Sequence, residues 1–369
     1  MSMRRGDDVG RRDPGPGPGG PPPSRGANLV RRLALAVYAI VFIAAGWFVW
    51  HQEFRSGGGH GGAAPYAAGG GSNSGAFTLQ TAKTPSQTGT PTAAEAQRFA
   101  NTAAPEFAAA PTWLQDFTTQ PDGPVTGWRI DLGLGINGWY NQEVASYTDD
   151  PSNLRVQGGQ LVIQARRAPA TSEVAYTSGR VSTRGIRAFQ YGKFDVVAKL
   201  PDGVGTWPAI WLISNGGKYR SQTPPSDPMR YLNDGEIDMV ETVFPGQIYS
   251  VAQARLSVSG LPNEHYVKIP VPDDARVFHD YGLEWTPTRL TFLLDGRPYY
   301  RLDKQAGWDW RLWPYDQTYY LVINLAMGGA WGDYAKSKYP PYGVDNAQLP
   351  QSLRVKSVAY YPYRGPAGG

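Results

Sequence analysis

The sequence predicts an all-β fold, an antiparallel β-sandwich filling residues 111–364. Three observations lead there. Aromatic and β-branched residues fall in short runs, turn signals separate the runs, and long amphipathic helical patterns are missing. The first clear run, Leu161-Val162-Ile163-Gln164-Ala165, follows the turn pair Gly158-Gly159. Phe194-Asp195-Val196-Val197-Ala198 and Leu290-Thr291-Phe292-Leu293-Leu294 come next, the latter ending at the hairpin signal Asp295-Gly296. Tyr319-Tyr320-Leu321-Val322-Ile323 and Val355-Lys356-Ser357-Val358-Ala359-Tyr360 complete the set.

The chain has 369 residues and no cysteine, so disulfides contribute nothing. Its formal net charge is +4. Residues 1–32 hold seven arginines and three aspartates and so carry all of that charge. A neutral body behind a basic tail argues against a nucleic-acid surface. Residues 13–24 are Pro/Gly-rich, so 1–32 reads as a disordered basic tail. Residues 33–50 (LALAVYAIVFIAAGWFVW) carry no charge and would span about 27 Å as a helix, marginally enough to cross a bilayer core. Arg31 and Arg32 abut the start and Trp47 and Trp50 sit at the end, as membrane interfaces favour. The expectation is a transmembrane signal-anchor helix with the N-terminus cytoplasmic and the rest periplasmic or extracellular. A cleaved signal peptide is the rival, but its apolar region runs only about 7–15 residues and a small-residue cleavage site follows it. Here bulky Trp47-Phe48-Val49-Trp50 follows Ala44-Ala45-Gly46. Residues 51–110, dominated by Gly, Ala, Ser, Thr and Pro from 56 onward, read as a flexible linker. Residues 365–369 form a short tail.

The densest chemistry is the run Glu236-Ile237-Asp238-Met239-Val240-Glu241. Three acids crowd a segment that otherwise reads as a buried strand, and neighbouring carboxylates push one another's pKa values apart. That separation gives a site one acid and one nucleophile at neutral pH. Side chains alternate on a strand, so Glu236 and Asp238 share a face and Glu241 should point away. A one-residue bulge after Asp238 would return Glu241 to their face. The alternative is a solvated acidic edge strand, which Ile237, Met239 and Val240 argue against.

Several blocks, in order, resemble glycoside hydrolase family sixteen, the laminarinase and lichenase group. They are Trp113-Leu114-Gln115-Asp116-Phe117, Asn141-Gln142-Glu143 with Tyr147-Thr148, Tyr176-Thr177-Ser178-Gly179-Arg180 and Tyr191-Gly192-Lys193-Phe194-Asp195. Trp207-Pro208-Ala209-Ile210-Trp211-Leu212, the acidic run itself, Gly282-Leu283-Glu284-Trp285-Thr286 and Asn324-Leu325-Ala326-Met327-Gly328-Gly329 follow. The resemblance implies a β-jelly roll whose concave sheet carries a glycan cleft. It implies Glu236 as nucleophile, Glu241 as general acid/base and Asp238 as a helper hydrogen-bonded to Glu236. The implied activity is that of a retaining endo-β-glucanase acting on a β-1,3- or mixed β-1,3/1,4-linked glucan, or on a related exopolysaccharide. A transglycosylase using the same residues and a tethered glycan-binding module are the alternatives.

Aromatic rings stack on the C–H faces of sugars, which makes Trp207, Trp211 and Trp331 candidates for the cleft. Trp211 is equally a core residue by this reading, and Trp285 reads as core. Asn141 and Arg180 match family positions that bond sugar hydroxyls, although Arg180 could instead pair with an acid. Two departures bear on substrate. Pro228-Met229-Arg230-Tyr231-Leu232-Asn233-Asp234 lacks the Trp that laminarin-cleaving relatives carry, and Gln253 stands where relatives often have a His. Both suit a decorated or microbial exopolysaccharide better than laminarin itself. The four histidines (51, 60, 265 and 279) are scattered, so no catalytic metal and no required cofactor is expected. A structural calcium is implied by resemblance alone. The expected partners are a polysaccharide and, through 33–50, a membrane. Nucleic acid is not expected, and the working unit is a monomer.

Overall fold

The computed structural model describes residues 105–366, apart from 136–137, 228–229, 245, 257–262, 271–276 and 340–341. The basic tail, the apolar segment 33–50 and nearly all of 51–110 lie outside the described residues. No helix among the described residues is long and apolar enough to cross a membrane.

The strands in chain order are β1 (Trp113–Asp116), β2 (Arg129–Ile130), β3 (Ala145–Tyr147), β4 (Leu154–Val156), β5 (Leu161–Arg167) and β6 (Tyr176–Ser178). Then come β7 (Arg180–Ser182), β8 (Gly192–Lys199), β9 (Thr206–Ser214), β10 (Glu236–Glu241), β11 (Gln247–Ala254) and β12 (Asn263–Pro270). The last are β13 (His279–Trp285), β14 (Arg289–Leu294), β15 (Arg297–Asp303), β16 (Tyr319–Met327) and β17 (Gln351–Tyr361). A helix, α1 (Gly329–Lys338), follows β16. The five strand runs expected from the sequence lie within β5, β8, β14, β16 and β17. Gly158-Gly159 and Asp295-Gly296 both adopt positive φ, and each pair joins an antiparallel hairpin.

Two sheets form the sandwich. Seven strands run β12-β11-β10-β9-β16-β7-β2. The larger sheet runs β15-β14-β13-β8-β17-β5-β6-β3, with β1 joined to β17 and β4 to β5. Their inner faces meet in one apolar core, in which Ile210, Leu212, Ile237, Val240, Leu321 and Ile323 oppose Phe194, Val196, Leu283, Phe292, Val355 and Val358. Trp285 is fully buried there, and its indole N–H donates to the Tyr315 carbonyl at 2.9 Å.

The packed body starts before residue 111. Phe107 and Ala108 are buried against Ala359 and Tyr361. The Ala108 N–H donates to the Pro362 carbonyl at 2.9 Å, and Phe107 bridges to Tyr363. The end of the stretch read as linker is therefore part of the domain, held by one aromatic residue among small ones. α1 was not foreseen, because its ten residues lack an apolar stripe and bury Gly329, Gly332 and Ala335.

Candidate active site

The outer face of the seven-stranded sheet carries the acidic run, and the expected bulge is present. Against β9, Asp238 pairs with Trp211 and Val240 with Ile210, so Met239 is the extra residue. Against β11, Asp238 pairs with Val251 and Glu241 with Tyr249, so Met239 and Val240 together face Ser250. One inserted residue reverses the alternation beyond it. Glu236, Asp238 and Glu241 therefore share the outer face, while Ile237 and Val240 are fully buried in the core.

The strand enters through a tight turn. Gly235 has φ +68°, and a Cβ there would lie 2.4 Å from Cγ of Pro314. Asp234, 1% exposed, takes the Tyr219 N–H at 2.8 Å and the Arg220 Nε at 2.9 Å, which organises the polar loop between β9 and β10. The Tyr319 hydroxyl donates to the Asp234 carbonyl at 2.5 Å.

Each acid is held by a neighbouring strand. From β11, Gln253 Nε2 donates to Glu236 Oε1 at 2.7 Å and to Asp238 Oδ2 at 3.2 Å. From β9, Trp207 Nε1 donates to Glu241 Oε2 at 2.8 Å. Trp207 is only 7% exposed, covered by Trp331 of α1 in an edge-to-face contact at 5.5 Å between ring centroids. It therefore has little free ring face for sugar stacking, and that expectation gives way to a role in holding Glu241. Gly329 at the start of α1 makes the covering contact possible. Its φ is +79°, and a Cβ would come within 3.0 Å of both the Trp207 ring and the Asn141 carbonyl. Trp331 is half-buried and also meets Tyr249 edge-to-face at 4.9 Å.

The remaining predicted residues join a second network on the same face. Trp211, half-buried, donates its indole N–H to Asn324 Oδ1 at 2.8 Å. Asn324 Nδ2 donates to the Tyr147 hydroxyl at 3.1 Å, and that hydroxyl donates to Glu143 Oε2. Asn141 bonds the Glu143 side chain as well. Burial pushes the Glu143 carboxyl above its ordinary pKa, against the opposing effects of Tyr147, Arg180 and Asn141. Arg180, 7% exposed, pairs with Asp131 at 3.4 Å and lies over the rings of Trp139 (4.5 Å) and Trp211 (5.1 Å). The pairing with an acid was the structural alternative for this residue.

All nine sequence-predicted positions thus lie on or against one face. Trp139, Glu143, Tyr147 and Asn324 also line this face, although the sequence alone assigns them no role. Glu143, Tyr147 and Asn324 lie in the quoted blocks, so the signal was present, but Asn324 and Tyr147 are 177 residues apart and meet only through the sheet. Trp139 sits at φ +56° in a wide turn (Gly138–Gln142) that periodicity does not reveal. Among the described residues, no cluster of three or more His, Asp or Glu side chains could hold a metal ion.

A model of the glycosyl hydrolases family 16 matches residues 141–340, which contain nearly all of this site. A β-glucanase from Rhodothermus marinus is 36% identical over 255 residues, covering 67% of this chain and 82% of its own length. A glucan endo-1,3-β-glucosidase from Cryptopygus antarcticus is 30% identical over 233 residues, covering 59% of this chain and 81% of its own. The solved laminarinase of Rhodothermus marinus superposes with a TM-score of 0.60 at 34% identity, covering 70% of this chain and 98% of that one. With its two-sheet fold, its acid triplet on one face and a family match over more than half its length, the chain belongs to glycosyl hydrolases family 16 and is a glycoside hydrolase.

Proposed function

We propose that the protein is an endo-acting, retaining β-glucanase working by double displacement on a β-1,3- or mixed β-1,3/1,4-linked glucan or a related exopolysaccharide. The observation that carries this reading is the bulge after Asp238, which puts Glu241 on the face of Glu236. A Glu236 oxygen attacks the anomeric carbon while Glu241 gives its proton to the departing glycosidic oxygen. The bond to the leaving sugar breaks and a glycosyl ester on Glu236 forms. Water then attacks the same carbon, Glu241 takes the water's proton, and Glu236 leaves as carboxylate. Asp238 shares the Gln253 amide with Glu236 and helps set its charge state. Trp207 aims Glu241 through its indole N–H. Trp211, Arg180, Asn141 and Trp331 shape the sugar sites, with Trp139 and Asn324 added by the geometry. The printed names of the relatives, β-glucanase and glucan endo-1,3-β-glucosidase, support the substrate class.

The same reading places the catalytic body outside the cytoplasm, tethered by 33–50 through the linker, where it meets extracellular polysaccharide as a monomer. The test uses the full chain beside Glu236→Gln, incubated with laminarin, mixed-linkage glucan and the producing cell's own exopolysaccharide, followed by sizing of products. Short oligosaccharides from the wild type and none from the variant are expected. For Glu236→Ala, added azide should restore turnover and yield a glycosyl azide. No cleavage of any glycan by the wild type would overturn the reading.

A further inference from the structure

The outer-face geometry depends on one extra residue, Met239, and a pair of hydroxyls lies directly beneath it. Removing the bulge would shift the pairing by one residue and turn Glu241 toward the buried side. A bulge also interrupts the ladder and leaves backbone groups to be satisfied by other means. Here the Met239 carbonyl accepts a hydrogen bond from the Ser250 hydroxyl at 2.6 Å. Ser250 is 1% exposed and sits opposite the bulge on β11. Its oxygen in turn contacts the Tyr299 hydroxyl. A serine hydroxyl has one proton. With that proton on the Met239 carbonyl, Tyr299 is the donor to Ser250.

Tyr299 belongs to β15, the edge of the other sheet, so this relay crosses the sandwich. Tyr299 is itself an extra residue. Tyr300 pairs with Phe292 and Pro298 with Leu293, which leaves Tyr299 without a counterpart in the ladder. One bulge thus turns a tyrosine out of β15 toward the support of another bulge in β10. Burial raises the Tyr299 pKa, so the phenol keeps its proton and remains a donor at any working pH.

We propose that Ser250 and Tyr299 are positioning residues, which pin the Met239 carbonyl and so fix the bulge that aims Glu241 at the scissile bond. The proposal rests on the acid role given to Glu241. A purely structural pair would lower stability and affect all substrates alike. A positioning pair affects proton delivery, which matters for a poor leaving group and hardly at all for an activated one.

The test uses the full chain with Ser250→Ala and, as the gentler variant, Tyr299→Phe. Two readouts are taken. The first is the indole N–H resonance of Trp207, assigned with Trp207→Phe, which reports the bond to Glu241 whatever Glu241 does. The second is kcat/KM on glucan-oligosaccharide aryl glycosides with a phenyl or a dinitrophenyl leaving group. Ser250→Ala should shift the resonance and lower kcat/KM about tenfold on the phenyl glycoside but less than about twofold on the dinitrophenyl one, a part of the 10²–10⁴ typical of general acid catalysis. Tyr299→Phe should move both readouts the same way by less. An unmoved resonance, or equal losses on the two glycosides, overturns the proposal. Glu241→Ala is the control: if it too loses equally on both glycosides, the acid role of Glu241 fails, and the resonance still shows whether the relay holds the bulge.

Discussion

Both sheets carry acids on their outer faces, but they hold them differently. On the ten-stranded sheet Asp195 meets Lys193 at 2.9 Å and Asp303 meets Arg301 at 2.7 Å, while Arg289 of β14 bonds Glu106 from the turn before β1. On β10, Glu241 takes the indole N–H of Trp207, and Glu236 and Asp238 share the amide of Gln253. A carboxylate fixed against a cation has a charged partner that ties two side chains together, which suits a structural pair. A carboxylate oriented by a neutral N–H keeps its geometry and can still exchange a proton or form a bond to carbon. On the mechanism proposed above, the difference separates acids that hold the fold from acids that react.

Four substitutions test that contrast, from the largest expected effect to the smallest. Gln253→Leu removes the shared amide, so kcat/KM on the glucan should fall at least about tenfold, within the range for losing a buried hydrogen bond to a charged group, with a Tm drop that does not account for it. An unchanged kcat/KM would show that Gln253 does not orient the acids. Asp195→Asn leaves Lys193 facing an uncharged neighbour and should cost roughly 1–3 kcal/mol in denaturant unfolding while leaving kcat intact. A large loss of kcat would break the division between the sheets.

Glu143→Gln sharpens the contrast, because Glu143 is an acid at the site that burial disfavours in its charged form. Its pKa is raised, so the folded state binds this proton more tightly than the unfolded chain does. The stability it contributes is full at low pH and is lost as pH rises from about 4.5 through the raised value. The Tm of Glu143→Gln relative to wild type should therefore improve steadily between low and neutral pH. A constant difference would show that Glu143 has no raised pKa in solution. Asp303→Asn breaks an exposed pair and should change stability by no more than about 0.5 kcal/mol, with turnover untouched.

Much of this was legible in the sequence. Runs such as Leu161–Ala165 and Tyr319–Ile323 declare themselves because short runs dense in β-branched and aromatic residues are local signals. The bulge was legible too, because the spacing of Glu241 from Asp238 breaks strand alternation unless a residue is inserted. The expectation for Trp207 failed for a different reason. Strand parity gave its face correctly, but the cover from Trp331 comes from a helix without an apolar stripe. The Glu143–Tyr147–Asn324 chain and the Ser250–Tyr299 relay depend on register between distant strands, which no short window contains.

The place of β17 has a consequence for how the protein is made. This strand, residues 351–361, lies inside the larger sheet between β8 and β5, and it also pairs with β1. A nascent chain emerges from its N-terminus, so β5 and β8 exist long before the strand that joins them. The larger sheet cannot close until residue 361 has left the ribosome, and the pairing of Phe107 with Tyr363 comes later still. Stopping synthesis at residue 350 would remove a central seam, leaving the larger sheet as two parts with open edges and the core without Leu353, Val355 and Val358. For the exported body proposed above, this arrangement would delay folding during passage across the membrane, because β17 is the last strand of the larger sheet to be made.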